Sequence, residues 1–298
     1  MILFVEVHSM HSWRRFLVCC LILALLPGCT VSGASLFSDA TVAPSPVASP
    51  TASSSPIPPS PAPQRGFSLT IIEQKSADTH TEVPFRVLIY HTHTYEAFTA
   101  TEQYPYTSTE KWRTSNPERN VVAVGAYLAE LLTNAGVSVT HDTTAFEPPV
   151  LSSAYERSLS MLEARTANGE SYDLYIDLHR DAYSEGNGPN IVEINGETVA
   201  RLMVLIGKGT GQTGAGYDKT PDFESNRTIA QTLTNRLNLQ AEKLCRSVSI
   251  KSGRYNQHIA PCCILIEAGN NRNTLEEVLR AMPYLANAIC SLSDGQIE

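Results

Sequence analysis

Phe85-Arg86-Val87-Leu88-Ile89-Tyr90-His91-Thr92-His93-Thr94 is a short run of β-forming residues that stops abruptly at polar ones. An apolar run of this length with a polar boundary reads as a buried strand. Residues 95–116 are polar and aromatic without periodicity, and Asn116-Pro117-Glu118 then supplies a cap, a proline at the first helical position and a first-turn acid. A helix is expected from there, with Val121, Val124, Leu128, Leu131 and Leu132 at helical spacing and Gly136 closing it. Val137–Thr140 reads as a second strand, Ser152 to about Ala167 as a second helix, and Tyr172–Leu178 as a third strand that runs into His179.

The remainder continues the alternation. Ile191–Ile194 and Thr198–Ile206 flank Asn195-Gly196, a strong hairpin signal, so a β-ribbon feeds the next strand. Asn226 to about Cys245 reads as a third helix and Pro261–Ile266 as a further buried strand that ends at Glu267. Asn273-Thr274-Leu275-Glu276-Glu277 is a capping box opening a last helix that reaches about Cys290. Strands separated by helices predict an α/β fold, a mostly parallel twisted sheet with helices on both faces, plus the β-hairpin ribbon. No internal repeat is visible.

Three segments are expected. Arg14 and Arg15 precede an uncharged apolar run from Phe16 to Leu26, so residues 1–37 read as a secretion signal or membrane anchor, with Cys29 as a candidate lipid-processing site. The two arginines keep that end cytoplasmic and export the rest. Residues 38–65 turn to Pro, Ser, Ala and Thr with almost nothing aromatic, a composition that reads as a disordered tether. Residues 66–298 form the folded domain. The chain of 298 residues carries 42% apolar side chains, enough for one good core, and a formal charge of -8 without single-sign runs, which argues against nucleic acid as a partner. Of seven cysteines, Cys19, Cys20 and Cys29 lie in or beside the export segment. Cys245, Cys262, Cys263 and Cys290 show no zinc-finger spacing and read as buried thiols rather than a disulfide framework.

In parallel α/β sheets, ligands bind outside the carboxyl ends of the strands. His93, His179 and Glu267 each fall at such an end, so three strands deliver chemistry to one edge. A catalytic zinc takes three protein ligands from His, Asp or Glu and leaves one position for water. His93 and His179 are natural ligands, with His91 competing for the first place. Glu118 completes the set in one reading; Glu96 or water does so in another. Glu267, directly after an apolar strand, pays a desolvation cost that a catalytic task would explain, and serves here as the acid/base. A non-catalytic binding module that keeps this edge but holds no metal, and a thiol hydrolase using Cys262 or Cys263 with His258, are the competing classes.

The ordered motifs Ile89-Tyr90-His91-Thr92-His93-Thr94, Glu118-Arg119-Asn120-Val121-Val122, Asp177-Leu178-His179-Arg180-Asp181-Ala182, Arg254-Tyr255-Asn256-Gln257 and Leu265-Ile266-Glu267-Ala268-Gly269 span roughly residues 83–290. Together they resemble the stage II sporulation protein P family. The resemblance implies a zinc-amidase-like fold and an N-acetylmuramoyl-L-alanine amidase, with endopeptidase activity, that cuts peptidoglycan at the sporulation septum during engulfment. It further implies a membrane anchor and a complex with stage II sporulation proteins D and M. By motif, His93 and His179 look like zinc ligands, Glu267 like the acid/base and Glu118 like the acidic ligand of the broader zinc amidases. Arg180, Asp181, Tyr255, Asn256 and Gln257 look like substrate-gripping residues. Thr94-Tyr95 stands where those amidases carry two glycines, which implies a differently shaped groove.

Overall fold

The structure, a computed structural model, describes residues 84–182, 188–211 and 219–293. The anchor and tether expected over residues 1–65, Cys29 included, lie outside the described residues. Among the described residues, no helix is long and apolar enough to cross a membrane.

Strand β1 (Arg86–Tyr90) forms where the opening run of β-formers predicts it. It is followed by α1 (Val121–Asn134), β2 (Ser138–His141), α2 (Ala154–Ala167) and β3 (Leu174–Asp181). Next come β4 (Ile191–Ile194), β5 (Glu197–Ala200), β6 (Leu202–Gly207), α3 (Phe223–Gln240), β7 (Ser249–Lys251), β8 (Cys263–Asn270) and α4 (Leu275–Ser293). Six strands make one sheet in the order β2-β1-β3-β8-β6-β7. β2, β1, β3 and β8 are mutually parallel, β6 is antiparallel to β8, and β7 is parallel to β6. The sheet is therefore mostly parallel, as expected, with a reversed pair at one side.

Several boundaries differ from expectation for local reasons. Asn116 accepts from Glu118 N–H and closes a tight turn, and the cap of α1 is Asn120, whose side chain accepts from Val122 N–H at 2.9 Å. A side-chain oxygen that satisfies an orphan helix donor defines the start, and a Pro-containing turn precedes it. The ribbon is present as β4–β5 around Asn195 and Gly196, both at positive φ, the demand of a two-residue hairpin. The expected long second arm divides at Arg201 into β5 and the sheet strand β6. α3 starts earlier than expected, capped by Asp222, and ends before Cys245, which instead bridges to Leu202. β7 is too short to show a period. The capping box of α4 forms between Thr274 and Glu277, each accepting from the other's backbone N–H at 3.1–3.2 Å.

The two faces of the sheet are unequal. Val87, Ile89, Ile176, Leu178, Ile264 and Ile266 alternate onto one face and pack in a large core with residues of α1, α3 and α4. The opposite face carries a small core of Leu88, Tyr90, Tyr175 and Cys263, covered by Leu162 of α2. Cys245, Cys262 and Cys263 are free thiols, and burial pushes each of them above the ordinary thiol range. Such thiols are poor nucleophiles, which removes the basis of the thiol-hydrolase reading.

Candidate functional site

The site stands on the face of the small core, beyond Tyr90, Asp177 and Leu265. His179 and Glu267 are register partners on the adjacent parallel strands β3 and β8. Both lie within their strands rather than past the ends, and their side chains share a face because partners across a ladder point the same way. β1 ends at Tyr90, so alternation continues only to His91, which turns to the opposite face. There His91 is buried, bonded through Nδ1 to Leu178 O at 2.8 Å and through Nε2 to His141 Nε2 at 2.9 Å. The turn at 92–95 then reverses direction and brings His93 to the site, its ring edge-on to His179 with centroids 5.3 Å apart. The two histidines that a strand period could not separate thus occupy opposite faces.

The same turn carries Glu96. Its N–H reaches back to His93 O at 3.2 Å, and its carbonyl accepts from Val121 N–H at the start of α1 at 2.9 Å. The carboxylate lies 3.3 Å from His179 Nδ1 and accepts from Arg180 N–H at 3.1 Å. Burial works against its charge, but His179, Arg180 and His93 outweigh that and hold its pKa at about 2. Glu118, by contrast, has a side chain 76% exposed and, among the described residues, pairs only with its neighbour Arg119. It sits in the turn before the helix cap and is not brought to the histidines; Glu96 is.

Glu267 is the opposite kind of acid. Burial is the main cause that raises its pKa to about 8; His179 pulls the value down, and Glu96 and Asp181 push it up. Its Oε2 is buried without a hydrogen-bond partner. For His179, burial disfavours the protonated ring, yet Asp177 and Glu96 together raise its pKa well above the ordinary range. Two acids pushed in opposite directions around two histidines are the pattern of a functional site.

The expected gripping residues divide into two groups. Asn256 is buried and donates to Tyr155 O at 2.8 Å and Ser158 Oγ at 3.0 Å. Gln257 is buried and ties β6 through Leu205 O and Gly207 N–H. Arg180 donates to Ala97 O and Trp112 O and so braces the loop after His93. Asp181 accepts from Arg246 at 2.6 Å. These four hold the scaffold. Tyr255 stays at the site, its ring 5.9 Å from Tyr155, which is itself 5.5 Å from His93. Sequence reasoning missed Tyr155, Asp177 and Glu147. Asp177, two residues before His179 in a strand, was the one that alternation could have found.

Among the described residues, no group of three or more His, Cys, Asp or Glu side chains meets the spacing of a metal site. The donor chemistry still fits zinc: two imidazoles and a carboxylate are its usual ligands. The 3.3 Å from His179 Nδ1 to Glu96 Oε2 is also near the roughly 3.3 Å donor spacing of a tetrahedral zinc with bonds of about 2.0–2.1 Å.

A family model described as Stage II sporulation protein P (SpoIIP) matches residues 57–290. The chain is similar to Stage II sporulation protein P of Bacillus subtilis (strain 168), with 26% identity over 217 residues, 69% of this chain and 50% of that protein. The match thus spans about half the length of that relative. Among solved structures, it is similar to the CwlD amidase from Clostridioides difficile in complex with the GerS lipoprotein, at 11% identity and a TM-score of 0.43, covering 71% of this chain and 97% of that one. It is also similar to the N-acetylmuramoyl-L-alanine amidase from Clostridium difficile 630, at 18% identity and a TM-score of 0.40, covering 70% of this chain and 94% of that one.

Proposed function

The chain belongs to the Stage II sporulation protein P family, and from that premise we propose that it is a zinc-dependent peptidoglycan hydrolase cutting the amide between N-acetylmuramic acid and the stem peptide. The observation that carries this reading is Glu267: a buried acid with a pKa of about 8 and an unpartnered oxygen, in register with His179 and on the same face as His93. His93, His179 and Glu96 would hold the metal, Glu96 taking the place first expected for Glu118. When bound, zinc supplies Lewis-acid polarisation of the scissile carbonyl and of the attacking water.

The chain's own residues supply the proton path. Glu267, ionised, takes the proton of the water whose oxygen adds to the amide carbon. It returns that proton to the nitrogen as the C–N bond breaks, which leaves a muramyl carboxyl group and a free alanyl amine. A carboxyl group tuned to about 8 suits both halves, because it both accepts and donates near neutral pH. Tyr155 of α2 stands edge-on to His93, and Tyr255 edge-on to Tyr155, so two aromatic rings border the site on this side. A membrane anchor at the N-terminus, work at the sporulation septum during engulfment, endopeptidase action and assembly with stage II sporulation proteins D and M belong to the same proposal and rest on the family motifs.

The test uses the full chain, purified with zinc and assayed for stem-peptide release from peptidoglycan. Wild type should bind zinc and release peptide, and a chelator should abolish release. Glu267→Gln should retain zinc and lose at least about a hundredfold in turnover. His93→Ala or His179→Ala should lose both. A chain that binds the wall but neither zinc nor product would be a wall-binding module, and this reading would fall.

A further inference from the structure

Each site histidine has one ring nitrogen buried against a buried carboxylate, and the turn that carries His93 grips both carboxylates. Asp177 Oδ1 lies 2.8 Å from His179 Nε2 and accepts Thr92 N–H at 2.8 Å; its Oδ2 accepts Thr92 Oγ1–H at 2.7 Å. Thr92 Oγ1 stands 2.9 Å from Ser158 Oγ of α2, which Asn256 holds from the other side. Glu147 Oε1 lies 3.5 Å from His93 Nδ1, while its Oε2 accepts Tyr95 N–H at 3.1 Å and pairs with Arg113. Thr92 and Tyr95 flank His93, so one short segment fixes both acids.

These are not surface ion pairs. Asp177 is 1% exposed, and among the described residues its only ion pair is with His179. A buried carboxylate without an arginine or lysine carries a desolvation cost that a merely decorative acid would not survive. His179 Nε2 and His93 Nδ1 are buried and satisfied by no other group, and a carboxylate oxygen lies 2.8 Å from the first and 3.5 Å from the second. The reverse tautomers would set a nitrogen lone pair against a carboxylate oxygen. A neutral imidazole offers only its unprotonated nitrogen to a metal, so the partner of one nitrogen decides what the other can do.

We infer that Asp177 and Glu147 are positioning residues that fix the tautomers of the two histidines, presenting Nδ1 of His179 and Nε2 of His93 to the cleft. The assignment deepens the zinc reading and rests on it for the identity of the ligand. It also explains why the site lies where two strands and a turn meet: the turn supplies one histidine and the backbone donors that orient both.

The test is a long-range ring ¹⁵N spectrum of the full chain labelled at histidine, recorded metal-free at a pH where both rings are neutral and again with zinc. Wild type should carry the His179 proton on Nε2 and the His93 proton on Nδ1. Asp177→Asn should move His179 to a tautomer mixture, leave His93 unchanged and weaken zinc about 10–100-fold in chelator competition. Glu147→Gln should do the converse. If Asp177→Asn fails to fold, Thr92→Val, which removes the hydroxyl's contacts with Asp177 and Ser158 but keeps the backbone N–H bond to Asp177, should shift His179 less in the same direction. A wild-type His179 proton on Nδ1, or a tautomer unmoved by its own variant, would overturn the inference. The stated tautomers in a wild type that does not bind zinc would sustain it and overturn the enzymatic reading instead.

Discussion

Glu267 and Glu96 sit within one cluster yet link pH to stability in opposite senses. The pKa of Glu267 rises from 4.5 to about 8 on folding, so the folded state holds a proton that the unfolded chain has lost. The stability from that neutral burial is complete below about pH 4.5 and disappears as pH climbs through 8. Glu96 falls from 4.5 to about 2, so its contribution is present above 4.5 and is lost only as pH drops through 2. Glu267→Gln, neutral at every pH, should therefore match wild type at pH 5 and exceed it at pH 9 by on the order of 2–4 kcal/mol in urea unfolding. Glu96→Gln should destabilise at both. Equal effects of Glu267→Gln at the two pH values would show that its carboxyl group is not held neutral by the fold.

At the scale of elements, the close approach of α1 to the sheet depends on Gly125. A Cβ there would stand 2.6 Å from Nε2 of the buried His91 and 2.7 Å from Nε2 of the half-buried His141, two rings held to each other by a hydrogen bond. Gly125→Ala should lower stability by about 1–3 kcal/mol despite the better helix propensity of alanine, read as a reduced urea midpoint. An unchanged midpoint would mean that the histidine pair yields freely. These elements also show what the sequence makes legible. Apolar runs and helical spacing located the long strands and helices because burial imposes those periods on the chain. The cap of α1 was misplaced because Asn116 and Asn120 offer the same side chain, and only tertiary contacts select the one whose oxygen meets a helix N–H. His91 and His93 could not be distinguished because a period of two holds only while the strand lasts, and β1 stops at Tyr90. Glu118 attracted attention as a first-turn acid, whereas Glu96 lies in an aperiodic stretch where no pattern points.

For the whole molecule, the edge where parallel strands end was legible from alternation alone, and His179 and Glu267 were found on it. Their register was not, since nothing in either strand says which residue faces which. Nor was Glu147, whose role depends on a turn folded back from another part of the chain; Asp177 lay within reach of alternation, but its contacts with Thr92 did not. The unequal faces of the sheet have a further consequence. Three helices share the large core, while α2 meets the small one through Leu162 and Met161 and is otherwise tied by polar contacts of Ser158, Arg157 and Arg165, which water can replace. Local opening costs least where the fewest apolar contacts must part. Amide hydrogen exchange should thus be faster along residues 154–167 than along α1 or α4 by at least about tenfold, and equal protection would refute that ranking. On that ranking the helix that carries Tyr155 beside His93 opens before α1 and α4, and the strands bearing His179 and Glu267 keep their register as it does.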